Sequence, residues 1–215
     1  VDELYDLNVK RLKVAGFECT DPRLVKYTAS TQLPLIISIG IGTGLSSIKE
    51  IYNWVLEVNK TPDITFLHCN NAYPTPFEDI NLGTMREISQ KADCANIKVG
   101  LSDHTEGILT PPIAVALGAK AIEKHYTIDK SLSGPDHPFS IEPNELTSMV
   151  KNIRLAETML GSKQDEYTES ELAFSKGRRS VVVVGSTKKG EIISEKNIST
   201  KRPLLSKSIP AKEYY

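Results

Sequence analysis

A chain of 215 residues has room for one large domain, or for one domain with a small appendage. With 40% apolar and 25% charged residues and a formal net charge of −1, it is neither a disordered polymer nor an electrostatic match for nucleic acid or an anionic membrane. No apolar run approaches the ~20 residues of a membrane span and no secretory leader is visible. The cysteines (Cys19, Cys69, Cys94) are odd in number with no CxxC pair, so the expectation is a cytoplasmic protein with reduced thiols.

The chain opens on Val1 inside a helical pattern, VDELYDLNVK, with no initiator Met, and closes on KSIPAKEYY without a terminating signal. Both ends read as cut, and the chain as a piece of a longer polypeptide. Short apolar runs follow at Arg11–Ala15, Leu35–Ile39, Ile64–Leu67, Ile97–Leu101 and Lys120–Glu123, their starts 24, 29, 33 and 23 residues apart. Between them lie helical patterns, such as Ser46–Val58, with Ile48, Ile51, Trp54 and Val55 on one face, and Phe77–Ile88. Runs of this length bounded by Pro, Gly and Asp predict βαβ units and a parallel sheet. The cluster Gly40–Gly44 (GIGTG) lacks full dinucleotide spacing and reads as a turn into the next helix rather than a nucleotide site.

The best-marked helix has Pro143 near its start, Leu146, Met149, Val150, Ile153 and Leu160 on one face, and Gly161 at its end. From Ser162 to Gly177 the chain turns polar, as a linker does. RRSVVVVGSTKKGEIISEKNIST then reads as β-strands about a Lys-Lys-Gly turn. The predicted organisation is therefore a βα domain over 1–161, a linker over 162–177 and the start of a small β-rich domain over 178–215.

Residues with chemical capability collect at the C-terminal ends of the runs. Lys13 and Glu18 surround the first and Ser38 ends the second. His68 and Asn71 follow the third, Ser102, Asp103 and His104 the fourth, and Glu123 and His125 the fifth. That is where a (β/α)8 barrel builds its active site. Residues two apart in a strand share a face, so Ser102 pairs in direction with His104, and Glu123 with His125. Two converging imidazoles without a cysteine partner suit a catalytic divalent ion with open positions; two hydrogen-bonding histidines in a polar pocket are the alternative. His68 reads better as a loop buttress. The loop Ser131–Ser140 and the segment Asn71–Pro76 read either as plain connections or as substrate-gripping walls.

Four blocks carry a wider resemblance: HCNNAYPTPFEDINLGTM, VGLSDHTEGILTPPIAVALGAKAIEKHYT, GPDHPFSIEPNEL and RRSVVV…KKGEIISEKNISTKRP. In this order they resemble the sialic acid synthase family, which includes the legionaminic and pseudaminic acid synthases. The resemblance implies an α/β fold, a (β/α)8 TIM barrel of which strands four to eight are present, followed by the start of an antifreeze-like (SAF) domain. It implies condensation of phosphoenolpyruvate with an N-acyl mannosamine-type aldehyde to give a sialic acid and phosphate. It also implies a domain-swapped homodimer and a divalent metal, Mn²⁺ ahead of Mg²⁺ or Co²⁺, on His104 and His125. Lys13, Asn71 and Ser102 match phosphoenolpyruvate contacts, and Glu18 a carboxylate near the reacting centre. Tyr73 and Asp136 match amino-sugar contacts, and Arg202 an arginine that reaches the partner subunit's site.

There are departures from the family pattern. Gly16 stands where KxxSxE has Ser, and LLSKSIP follows KRP where the family is Gly-rich. The GPDH form is closer to the sialic and legionaminic synthases than to the pseudaminic ones. Competing expectations are another barrel enzyme, either a metal hydrolase or a different phosphoenolpyruvate-using synthase, and a non-enzymatic relative. Five strands cannot close an eight-stranded barrel, so the isolated chain is expected to be poorly stable and inactive.

Overall fold

The computed structural model describes residues 1–92, 97–161 and 167–214. Cys94 and the first part of the predicted linker, residues 162–166, lie outside them. The chain forms two compact units, Val1–Gly161 and Ser162–Tyr215.

The first unit alternates helix and strand. It runs α1 (Asp2–Asp6), β1 (Leu12–Val14), α2 (Pro22–Ser30), β2 (Leu35–Ile39), α3 (Leu45–Val58) and β3 (Ile64–Cys69). Then come α4 (Leu82–Ala92), β4 (Lys98–Asp103), α5 (Thr110–Ala116), β5 (Ile122–Lys124) and α6 (Pro143–Leu160). All five strands are parallel and pair in chain order, β1 to β5. A doubly wound sheet reverses its order at a switch point; here the winding never reverses, as in a barrel.

One sheet face packs against helices. Leu12, Val14, Leu35, Ile37, Ile39, Ile64, Phe66, Val99 and Leu101 join residues of α2–α5 in the core. The alternate positions form the other face, where Cys69, Ser102 and Glu123 lie level across three neighbouring strands. That inner face is concave. Four strand spacings of about 4.8 Å would put β1 and β5 about 19 Å apart in a flat sheet. Yet Lys13 Nζ of β1 lies 2.9 Å from Glu123 Oε1 of β5, which requires the sheet to curl into a barrel-like wall.

Several elements differ from their predicted extents. The opening helix stops at Asp6, with Asn8 at positive φ. The predicted helix Phe77–Ile88 is a single 3-10 turn, Phe77–Asp79, followed by α4; Asn81, at φ 47°, separates them. α2 and α5 were not marked out individually in the sequence. α6 packs on α5, so its buried stripe is narrow. Met149 and Ala156 are buried, whereas Val150 and Leu160 of the predicted apolar face are exposed.

The second unit contains α7 (Glu169–Leu172) and an antiparallel pair, β6 (Ser180–Val183) and β7 (Ile198–Lys201). No helix among the described residues is long and apolar enough to cross a membrane.

Candidate active site

The site lies on the concave face at the C-terminal ends of the strands, and Glu123 is its hub. Its Oε1 accepts from Lys13 Nζ at 2.9 Å and from Ser102 Oγ at 2.7 Å. Burial pushes the Glu123 carboxyl up, but the Ser102 hydroxyl and the Lys13 ammonium outweigh it and hold the group below the usual glutamate range. The Lys13 ammonium spends one N–H on Glu123, and an ammonium carries three such donors. Ser38, on the same face of β2, is buried, and its Oγ is the one buried side-chain polar atom without a partner among the described residues.

Above this layer sit three rings. His104 and His125 have centroids 5.2 Å apart, and Tyr73 lies 4.2 Å from His104 and 5.7 Å from His125. His104 Nδ1 is 2.6 Å from the carbonyl oxygen of Asn70. A carbonyl only accepts, so Nδ1 carries the proton and Nε2 keeps its lone pair. Burial, with the neighbouring His125 adding to it, lowers the His104 pKa despite this bond, favouring the neutral imidazole a metal needs. His125 Nδ1 faces Asp136 Oδ2 at 3.6 Å. An outer oxygen against each imidazole is the usual support of a metal-ligating histidine. No cluster of three or more His, Cys, Asp or Glu able to hold a metal forms among the described residues. An ion here would rest on the two imidazoles, its other positions left to water and substrate oxygens.

Asn71 is wedged between two glycines. A Cβ at Gly40 would lie 1.8 Å from its Oδ1, and one at Gly16 would lie 3.1 Å away. Only glycine at 40 leaves room for the amide. The departure Gly16 in the KxxSxE pattern likewise faces Asn71. Beside them a cavity of about 440 Å³ is lined by Gly40, Thr43, Cys69, Asn71 and Asn81 among others. The Gly40–Gly44 segment leads directly into α3, the turn expected of it.

The chain belongs to the NeuB family. The model of that family matches residues 1–165. Among similar proteins, an uncharacterised protein of Methanocaldococcus jannaschii is 47% identical over 94% of this chain and 59% of its own length. The N,N'-diacetyllegionaminic acid synthase of Legionella pneumophila is 40% identical over 94% and 57%. A pseudaminic acid synthase of Campylobacter jejuni is 42% identical over 89% and 54%. The chain thus spans a little over half the length of these relatives. The solved structure of N-acetylneuraminic acid (sialic acid) synthetase from Leptospira borgpetersenii superposes with a TM-score of 0.73 at 32% identity, covering 80% of this chain and 59% of that one.

For this NeuB-family chain, the fold brings together Lys13, Asn71, Tyr73, Ser102, His104, His125 and Asp136. Glu18 is exposed in the turn after β1, at the same strand end, and no side-chain hydrogen bond or ion pair holds its carboxylate among the described residues. Arg202 belongs to the second unit, exposed beside β7. His68 points to the helix side, where Nε2 meets the Ile80 carbonyl at 2.8 Å, the buttress its sequence context suggested. Sequence reasoning undervalued Glu123 and Ser38. The signal for Glu123 was its place two residues before His125.

Proposed function

We propose that the whole protein condenses phosphoenolpyruvate with an N-acyl mannosamine-type aldehyde, forming a nonulosonic (sialic) acid and phosphate. The observation carrying this is the layered site: an anion-ready Lys13–Glu123–Ser102 cluster directly beneath a pair of imidazoles, of which His104 keeps its Nε2 lone pair. The lower layer suits an anionic three-carbon substrate, with Lys13 neutralising it while Ser102 and Asn71 orient it. Tyr73, flat and half-exposed beside both histidines, suits the sugar chain, and Asp136 suits its hydroxyl or amide groups. A divalent ion on His104 and His125, Mn²⁺ in the first instance, supplies Lewis-acid polarisation of the aldehyde oxygen when bound.

In the overall change, C3 of phosphoenolpyruvate bonds to the aldehyde carbon and water adds at C2. The C–O bond to phosphate then breaks, releasing inorganic phosphate and leaving a 2-keto acid. β1–β5 are read as strands four to eight of a (β/α)8 barrel and the second unit as the start of an antifreeze-like domain. In a domain-swapped dimer that domain would carry Arg202 to the partner's site.

The test is phosphate release from phosphoenolpyruvate by the whole protein with Mn²⁺, comparing N-acetylmannosamine with a 2,4-diacetamido sugar of the legionaminic type. Each is run with and without EDTA. Release requiring both sugar and metal is expected, and the better sugar identifies the acceptor. A folded, metal-loaded protein that releases no phosphate with either sugar would overturn the assignment.

A further inference from the structure

Directly behind the two histidines, on the helix-facing side of the sheet, lies a buried ion pair. Lys124 Nζ is 2.8 Å from Asp103 Oδ2, with the side chains 3% and 0% exposed. Lys124 also donates to the Thr105 carbonyl. The backbone N–H and hydroxyl of Thr105 both donate to Asp103 Oδ1, at 3.0 and 2.8 Å, and its hydroxyl also bonds Thr110 at 2.8 Å.

Such a pair is an expensive way to build a core. Removing two charges from water costs several kcal/mol per ion, and apolar side chains of similar size would commonly hold the sheet as well. The other core positions on this face, Val99 and Leu101 of β4 with Ala114 and Val115 of α5, follow that cheaper solution. What the pair adds is register. Asp103 and Lys124 form the last paired rung between β4 and β5, and β5 has only three residues. His104 and His125 come one residue beyond that rung, on the opposite face. Past it, the His125 segment is tied to the fold by its bonds to Ile141.

We propose that the Asp103–Lys124 pair is the positioning element of the metal centre: by clamping the ends of β4 and β5 it sets the separation of His104 and His125. The inference rests on the reading of these histidines as metal ligands, and both residues act through them without touching substrate.

The test is Mn²⁺ binding to the whole protein, followed by the electron paramagnetic resonance signal of free Mn²⁺, with thermal melting as the check on folding. In the double variant Asp103→Asn with Lys124→Gln, both charges go while a hydrogen-bonded pair of amides remains. In Thr105→Val, Asp103 loses one bond. Asp63→Asn, which breaks the exposed Lys98 pair, is the control. The double variant should melt cooperatively and bind Mn²⁺ about 10-fold or more weakly, the size of effect usual for groups that orient metal ligands. Thr105→Val should bind a few-fold more weakly and the control as wild type. A merely structural pair would change the melting temperature and leave affinity alone, so wild-type affinity in the folded double variant overturns the proposal. Should the double variant not fold, Thr105→Val decides in the same way. Failure of the wild-type protein to bind Mn²⁺ would instead overturn the metal reading beneath, and the clamp with it.

Discussion

Replacing Gly40 by alanine should separate activity from stability. The added Cβ would stand 1.8 Å from Asn71 Oδ1 and 3.0 Å from its Cγ, while the nearest backbone atom, the Cys69 carbonyl oxygen, is 3.3 Å away. Ordinary contact requires the amide to retreat by about 1.5 Å. The atom that must move ends a half-buried side chain, so the fold can yield cheaply. With Asn71 read as the proposed phosphoenolpyruvate contact, catalysis should not yield so cheaply, because a misplacement of about 1 Å in a positioning group can cost ~100-fold in rate, equivalent to about 2.7 kcal/mol. Phosphate-release kinetics with the whole protein should therefore show kcat/KM for phosphoenolpyruvate down by about two orders of magnitude, with the melting temperature held. Gly42→Ala is the complement. Nothing lies within 4 Å of its Cβ, but its φ is +73°, so alanine should cost about 1–2 kcal/mol of stability and spare the rate. A Gly40→Ala enzyme within threefold of wild type would refute the view that Asn71 is held in place for the substrate.

Ser102→Ala removes a buried hydroxyl bonded to the Glu123 carboxylate at 2.7 Å. Urea unfolding should show a loss of about 1.5–3 kcal/mol, and no loss would mean that the bond has no net worth. His68 is held below the ordinary histidine pKa by burial, against its bond to Ile80. The unfolded chain therefore takes up this proton first, and stability falls as pH drops below about 6.5, by at most about 1.4 kcal/mol per pH unit, levelling once the folded protein is also protonated. His104 acts in the same direction, so His68→Gln should reduce the acid slope without abolishing it. An unchanged slope would count against the burial argument. At the start of α6, the Glu145 side chain accepts from the Glu142 backbone N–H at 3.0 Å and pairs with Lys130 at 2.7 Å. Glu145→Ala should cost about 1 kcal/mol in a thermal or denaturant melt, and an unaltered melt would deny the cap its role.

Much of this protein is legible without coordinates, because the signals are local. Alternating runs bounded by Pro and Gly mark β1 to β4, with Leu35–Ile39 placed to the residue. The two-residue period puts Ser102 with His104, and Glu123 with His125, on one face, and sends Asp103 to the other. Helix boundaries were less legible where a single residue decided them, as at Asn81, whose positive φ ends one helical turn before α4 begins.

The site depends on relations that no local pattern encodes. Lys13 and Glu123 are 110 residues apart and meet only because the sheet curls, a property summed from the twist of every strand. Asn71 stands where it does because the backbone at Gly40 approaches from a different strand end. Nothing local in the sequence marks Lys124 as buried. Only the packing of helices over the outer face of β4 and β5 buries it on Asp103, since burial is decided by what else the fold brings near.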